Sequence, residues 1–120
     1  MKKYFAVWGI LLLIPFFCTG TPLKKGVIPG KEVFLLLDVR SVTEYRTGHL
    51  HTAVNLPLDS LEKKIRLLAA KKDTPIYVYC RSGRRSANAV KVLRKMDYTK
   101  LYDLGGMTEA KKKLSLPIMK

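Results

Sequence analysis

Apolar positions along this chain fall into short runs separated by polar, helix-like stretches. Residues 33–39 (VFLLLDV) form an almost unbroken apolar run, the pattern of a strand buried on both faces. Residues 41–44 (SVTE) follow with the Ser-x-x-Glu spacing of a capping box, predicting a short helix that Gly48 ends. Residues 53–58 (AVNLPL) predict a short strand broken by Pro57. Asp59 and Glu62 repeat the capping spacing, and Leu61, Ile65 and Leu68 give one apolar face to a helix reaching about Ala70. After Pro75, residues 76–79 (IYVY) predict a second buried strand. Beyond Cys80, a helical face carries Ala87, Val90, Leu93 and Met96. Residues 101–104 (LYDL) predict a further strand, Gly105 and Gly106 a turn, and residues 108–114 a last helix. Strands alternating with helices predict an α/β domain, a mainly parallel sheet flanked by helices. In such sheets ligands sit at the carboxyl ends of strands, and Cys80 stands at one.

The N-terminal residues follow a different pattern. Lys2 and Lys3 precede an apolar run from Tyr4 to Cys18, which ends on the small residues Cys18, Thr19 and Gly20. This is the organisation of a secretory signal peptide, with cleavage expected after Gly20 and the product bound for the periplasm. The run is shorter than the about 20 apolar residues of a membrane span, so an uncleaved anchor is the second reading. The chain thus divides into a signal peptide (1–20), a linker rich in Pro and Gly (21–30) and one folded domain (31–120).

Charge narrows the function less than it first suggests. The net charge is +14 over 120 residues, which fits nucleic acid, anionic surfaces or small anionic substrates. However, the basic residues are scattered among segments, with no zinc finger, RNA-binding signature or interleaved aromatic–basic stretch. No nucleic-acid partner is expected. His49 and His51 lack a third ligand type beside them, so no metal is expected either, and both read as structural or surface residues. The two cysteines are more telling. Once Cys18 leaves with the leader, Cys80 stands alone and no internal disulfide can form. In an oxidising compartment such a thiol is either buried and inert or kept for chemistry.

Its surroundings favour chemistry. Cys80 is followed by Arg81, Ser82, Gly83, Arg84, Arg85 and Ser86. Gly83 permits backbone angles that other residues avoid, so the loop can turn successive N–H groups inward as an anion-binding nest. A helix starting near Ser86 adds its positive end, and Arg81, Arg84 and Arg85 flank the site. Together these lower the thiol below the roughly 8.5 of a free cysteine, without a separate base. The hydroxyls of Ser82 and Ser86 are candidate donors to the sulfur, although Ser86 equally suits a helix cap. Phosphoryl transfer and sulfur transfer both use such a cradle. Cysteine phosphatases follow Cys-x5-Arg, whereas this chain has Ser86 at that place and Arg85 one position early. The smaller loop suits the outer sulfur of a persulfide, so sulfur transfer is the first reading and a small phosphatase or arsenate reductase the second.

Two stretches, DVRSVTEYRTGHLHTAVNLPL (38–58) and CRSGRRS (80–86), resemble the two signatures of the rhodanese family of sulfurtransferases over about residues 30–110. The resemblance is strongest to the family's small exported single-domain forms, the phage-shock-type thiosulfate sulfurtransferases. It implies a rhodanese-like single domain in which Cys80 is catalytic and Arg81–Ser86 bind the donor. The implied reaction takes the outer sulfur of thiosulfate as a Cys80 persulfide and passes it to cyanide or a thiol, with no cofactor. A persulfide carrier that turns over small substrates poorly is the alternative. Asp38 and Arg40 belong to the signature and read as structural, with Glu44 the expected partner of Arg40. The chain departs from the family at Thr52 and Asp97, where glycine is usual, and at Ala110, where tryptophan is common. The Asp97 and Ala110 departures leave the last helix the least secured element.

Overall fold

The protein is described from a computed structural model over residues 33–120. The expected signal peptide and linker lie outside these described residues. The elements are β1 (Leu35–Asp38), α1 (Val42–Thr47), β2 (His49–Leu50), β3 (Val54–Asn55), α2 (Leu58–Leu68), β4 (Ile76–Cys80), α3 (Arg84–Lys95), β5 (Leu101–Gly106), α4 (Met107–Leu114) and β6 (Ile118–Met119). Four strands form one parallel sheet in the order β3-β1-β4-β5. The two-residue strands β2 and β6 pair antiparallel beside it.

Helices cover both faces of the sheet, which is why its central strands lack polar alternation. Leu35, Leu37, Val39, Ile76, Val78 and Cys80 point to one side and pack with Leu61 and Ile65 of α2 and Ala89, Val90 and Leu93 of α3. Phe34, Leu36, Tyr79 and Leu104 point to the other and meet Leu50 and, from α4, Ala110 and Leu114. The α/β architecture with a mainly parallel sheet is therefore present.

Local details differ from expectation. Pro57 is the N-cap of α2, which already begins at Leu58, so Asp59 lies in the first turn and does not cap the helix. Proline before the first turn imposes extended backbone without any capping side chain. On α3, Ala89 is buried rather than Ala87. Gly105 and Gly106 belong to β5 instead of forming a turn. The β4–β5 register jumps from Val78↔Asp103 to Tyr79↔Gly105, so Leu104 is an extra residue, a bulge. The last helix does form, with Ala110 fully buried.

Arg40 does not pair with Glu44. Its guanidinium forks onto Asp38, with Nε 3.0 Å from each carboxylate oxygen and Nη2 2.6 Å from Oδ2, and Nη2 also donates to the Gly48 carbonyl at 2.6 Å. Asp38 also accepts from the Arg40 N–H at 2.9 Å and the Tyr79 hydroxyl at 2.9 Å. Tyr79 in turn accepts from the Leu50 N–H at 3.0 Å. Asp38 and Arg40 are thus a buried, hydrogen-bonded knot joining the ends of β1 and β4 to the start of β2.

Both residues that stand in place of glycines have left-handed backbones, Thr52 at φ 71° and Asp97 at φ 70°. This conformation costs an L-residue roughly 1–2 kcal/mol, and most for a β-branched one. The Thr52 Oγ1 is moreover buried without a hydrogen-bond partner among the described residues. Thr52→Gly should therefore stabilise the domain by about 1 kcal/mol, after allowing for the greater freedom of glycine in the unfolded chain. A urea unfolding curve measures this. A lower midpoint would mean that the threonine methyl contacts outweigh the strain.

Candidate active site

β4 delivers Cys80 at its carboxyl end, fully buried among the residues under α2 and α3. Only Arg81, Ser82 and Gly83 separate it from α3. Gly83 takes φ 100° and serves as the N-cap, a left-handed turn that starts the helix at Arg84 rather than near Ser86. Arg84, Arg85 and Ser86 are consequently the first turn, whose N–H groups have no partners within the helix. The Gly83 N–H donates to the Cys80 sulfur at 2.9 Å. Burial pushes the Cys80 thiol up, but hydrogen bonds from the Ser86 N–H and hydroxyl and the N–H groups of Gly83 and Ser82 outweigh it, leaving the thiol more acidic than usual. Of the nest expected from the sequence, the Gly83 N–H stands at hydrogen-bond distance from the sulfur.

The Ser86 hydroxyl has several claims on its one proton. It lies 2.9 Å from the Gly83 carbonyl and 2.7 Å from Asp103 Oδ1, besides its contact to the sulfur. Asp103 Oδ1 also accepts the Gly105 N–H at 2.9 Å. Ser86 therefore ties the start of α3 to the bulge of β5, while its N–H gives the sulfur the steadier support. Nothing in the local sequence marks Asp103 as part of the site. The bulge that brings it there leaves no mark in apolar periodicity.

Gly106, predicted from the sequence as part of a turn, lies against the loop instead. Ser82 bridges to it, and a Cβ at this position would stand 2.7 Å from the Arg81 carbonyl oxygen. The Gly-Gly pair is the sequence signal, and it marks close approach of backbones rather than a reversal of the chain.

The three arginines separate. Arg81 and Arg84 are exposed and form no ion pair among the described residues. Arg85 is engaged, with Nη1 2.7 Å from Glu44 Oε1 and Nη2 2.9 Å from Oε2. Glu44 is itself held by the capping box, since Ser41 accepts the Glu44 N–H and donates to Oε1, both at 3.2 Å. The Arg85 hydrogen bond, offset in part by burial, lowers the Glu44 carboxyl to about 2. It is ionised throughout the working range.

A cavity of about 530 Å³ opens beside the loop, lined by Arg40, Glu44, Thr47, Arg81, Met107 and Thr108. The histidines take no part. His49 Nδ1 lies 2.9 Å from the Tyr45 carbonyl oxygen and its ring stacks on Tyr45 at 3.7 Å, while His51 is exposed. Among the described residues no group of His, Cys, Asp and Glu could hold a metal ion.

The chain is similar to known proteins. The rhodanese-like domain family matches residues 21–113. Thiosulfate sulfurtransferase PspE of Escherichia coli is 32% identical over 94 residues, spanning 72% of this chain and 90% of that protein. A sulfurtransferase of Allochromatium vinosum is 34% identical over 88 residues, 73% of this chain and 80% of that protein. A solved structure of a rhodanese with anions from E. coli is similar at a TM-score of 0.66 and 30% identity, covering 72% of this chain and 96% of that one. With an acidified cysteine cradled by amides at a strand end, and a family match over most of its length, the chain belongs to the rhodanese-like family of sulfurtransferases.

Proposed function

We propose that this protein is a thiosulfate sulfurtransferase working through a Cys80 persulfide. The observation that carries the reading is the Gly83 N–H, 2.9 Å from a buried Cys80 sulfur that the donors of Ser86, Gly83 and Ser82 make more acidic than usual. The Cys80 thiolate attacks the outer sulfur of thiosulfate. A Cys80–sulfur bond forms, the sulfur–sulfur bond of the donor breaks, and sulfite departs with the bonding pair. Cyanide or a small thiolate then attacks the outer sulfur of the persulfide, and the Cys80 thiolate returns. This is covalent catalysis in two half-reactions. The loop amides stabilise the anionic persulfide, as preorganised donors stabilise other developing anions. Arg81 and Arg84, exposed at the rim, attract the anionic donor. The place of a phosphatase arginine is held by Ser86, buried against Asp103, where no guanidinium can clasp a phosphate.

The test is steady-state formation of thiocyanate from thiosulfate and cyanide by purified residues 21–120. Sustained turnover supports the enzyme. A single stoichiometric transfer without turnover would instead favour a persulfide carrier. Export to the periplasm is part of the same proposal, supported by the composition of residues 1–20. Material from the periplasm should begin at Thr21, whereas membrane-bound material retaining Met1 would indicate an anchor.

A further inference from the structure

The pair formed by Glu44 and Arg85 is more elaborate than a helix cap requires. Both carboxylate oxygens meet separate nitrogens of one guanidinium, the geometry of strong bidentate pairing. The partners come from the first turns of α1 and α3, and the Arg85 end is the one that follows the nucleophile. Ser41 fixes Oε1 from behind, so the carboxylate is positioned rather than merely attracted. On one side Glu44 lines the cavity that Arg81 also lines, and on the other Arg85 lines a smaller cavity of about 230 Å³ with Ser41 and Pro57. The clasp therefore stands between two openings next to the loop.

Its electrostatic effect follows directly. Of three arginines flanking the sulfur, one has its charge cancelled in place, while Arg81 and Arg84 keep theirs. A dianionic donor gains most from each positive charge at the rim, and its dianionic leaving group is released more slowly for the same reason. A monoanion is half as sensitive.

We infer that Glu44 is a specificity-determining residue, which sets the preference between dianionic and monoanionic sulfur donors by neutralising Arg85 beside the Cys80 cradle. This rests on the sulfurtransferase reading. Glu44 acts through Arg85, so it is a positioning residue.

The experiment compares thiosulfate with methanethiosulfonate. Both offer an outer sulfur to the thiolate, releasing sulfite or methanesulfinate, but they carry two charges and one. In Glu44→Gln, which keeps the shape of the side chain, the kcat/KM ratio of thiosulfate to methanethiosulfonate should rise about three- to tenfold. In Arg85→Gln, which leaves Glu44 uncompensated, the ratio should fall by a similar factor. The double variant should return close to the unaltered protein. A merely structural clasp would lower both activities together and leave the ratio unmoved, and that result would overturn the inference. So would a ratio that moves the same way in both single variants.

A second readout does not depend on sulfur transfer. The alkylation rate of Cys80 by anionic iodoacetate, divided by that for neutral iodoacetamide, should change in the same order across the same variants. If thiosulfate and methanethiosulfonate both fail as donors while the alkylation ratio follows charge, the proposed function falls and the role of Glu44 in setting charge at the sulfur stands. If sulfur transfer proceeds and neither ratio moves, the function stands and this inference falls.

Discussion

Replacing Cys80 by serine is expected to abolish sulfur transfer while leaving the domain folded. Cys80 is fully buried and packs with Val78, Ala89 and Leu93 in one continuous core, so a bulky or strongly polar substitute would disturb more than chemistry. Serine is nearly isosteric, and its oxygen can still accept the Gly83 N–H that now reaches the sulfur. The cost in stability should stay near 1 kcal/mol, typical of placing a hydroxyl where it keeps a hydrogen bond. What serine cannot do is hold a second sulfur. The unaltered protein, treated with thiosulfate and desalted without reductant, should gain the mass of one sulfur atom and lose it on adding cyanide. Cys80 is the only cysteine among the described residues, so no thiolate there can attack the persulfide and discharge it as a disulfide. The serine variant should never show the added mass. Appreciable thiocyanate formation by a folded Cys80→Ser protein would overturn the mechanism.

Gly106→Ala should be the next most damaging change, although its backbone angles suit any residue, at φ −77° and ψ 169°. The obstacle is space. The new Cβ would lie 2.7 Å from the Arg81 carbonyl oxygen and 2.6 Å from Glu109 Oε2. The Glu109 side chain can swing away, but the Arg81 carbonyl belongs to the loop that aims its next N–H groups at the sulfur. Moving that loop by a fraction of an ångström to an ångström is worth on the order of 10²-fold in rate for a reaction that relies on fixed donors. Overpacking of this kind costs about 1–3 kcal/mol in stability. The variant should therefore keep its circular dichroism spectrum and lose roughly 10²-fold in kcat, and its Cys80 should alkylate with a higher pH midpoint. Normal kcat in Gly106→Ala would show that the loop tolerates displacement and that its geometry is not what activates the sulfur.

The features legible in the sequence are those carried by neighbours along the chain. The runs around Leu36 and Val78 announce strands covered on both faces because odd and even positions alike are buried there, Tyr77 alone being half-buried. The Ser41–Glu44 capping box and the Gly83 turn are encoded within a few residues and appear where expected. The misread features depend on distant partners. Glu44 meets Arg85 from 41 residues away, and Arg40 had an equally plausible charge partner nearby. The buried face of α3 carries Ala89 rather than Ala87, because packing on the sheet selects the side bearing Ser86, Ala89, Val90 and Leu93. The pairing of β2 with β6 joins two-residue strands at opposite ends of the domain, too short for any periodicity to show. Asp103 reaches Ser86 only because Leu104 bulges out of the ladder.

That sheet order also has a consequence in time. Cys80 lies on β4, yet its cradle is completed by β5, through the bridge from Ser82 to Gly106 and the link from Asp103 to Ser86. As the chain is made, the nucleophile emerges well before the segment that finishes its surroundings. Until residues 101–106 dock along the open side of β4, the thiol lacks part of the frame that keeps its donors in place. The surroundings of Cys80 are thus finished only when β5 docks, and β5, at the edge of the sheet, serves as the latch on its chemistry.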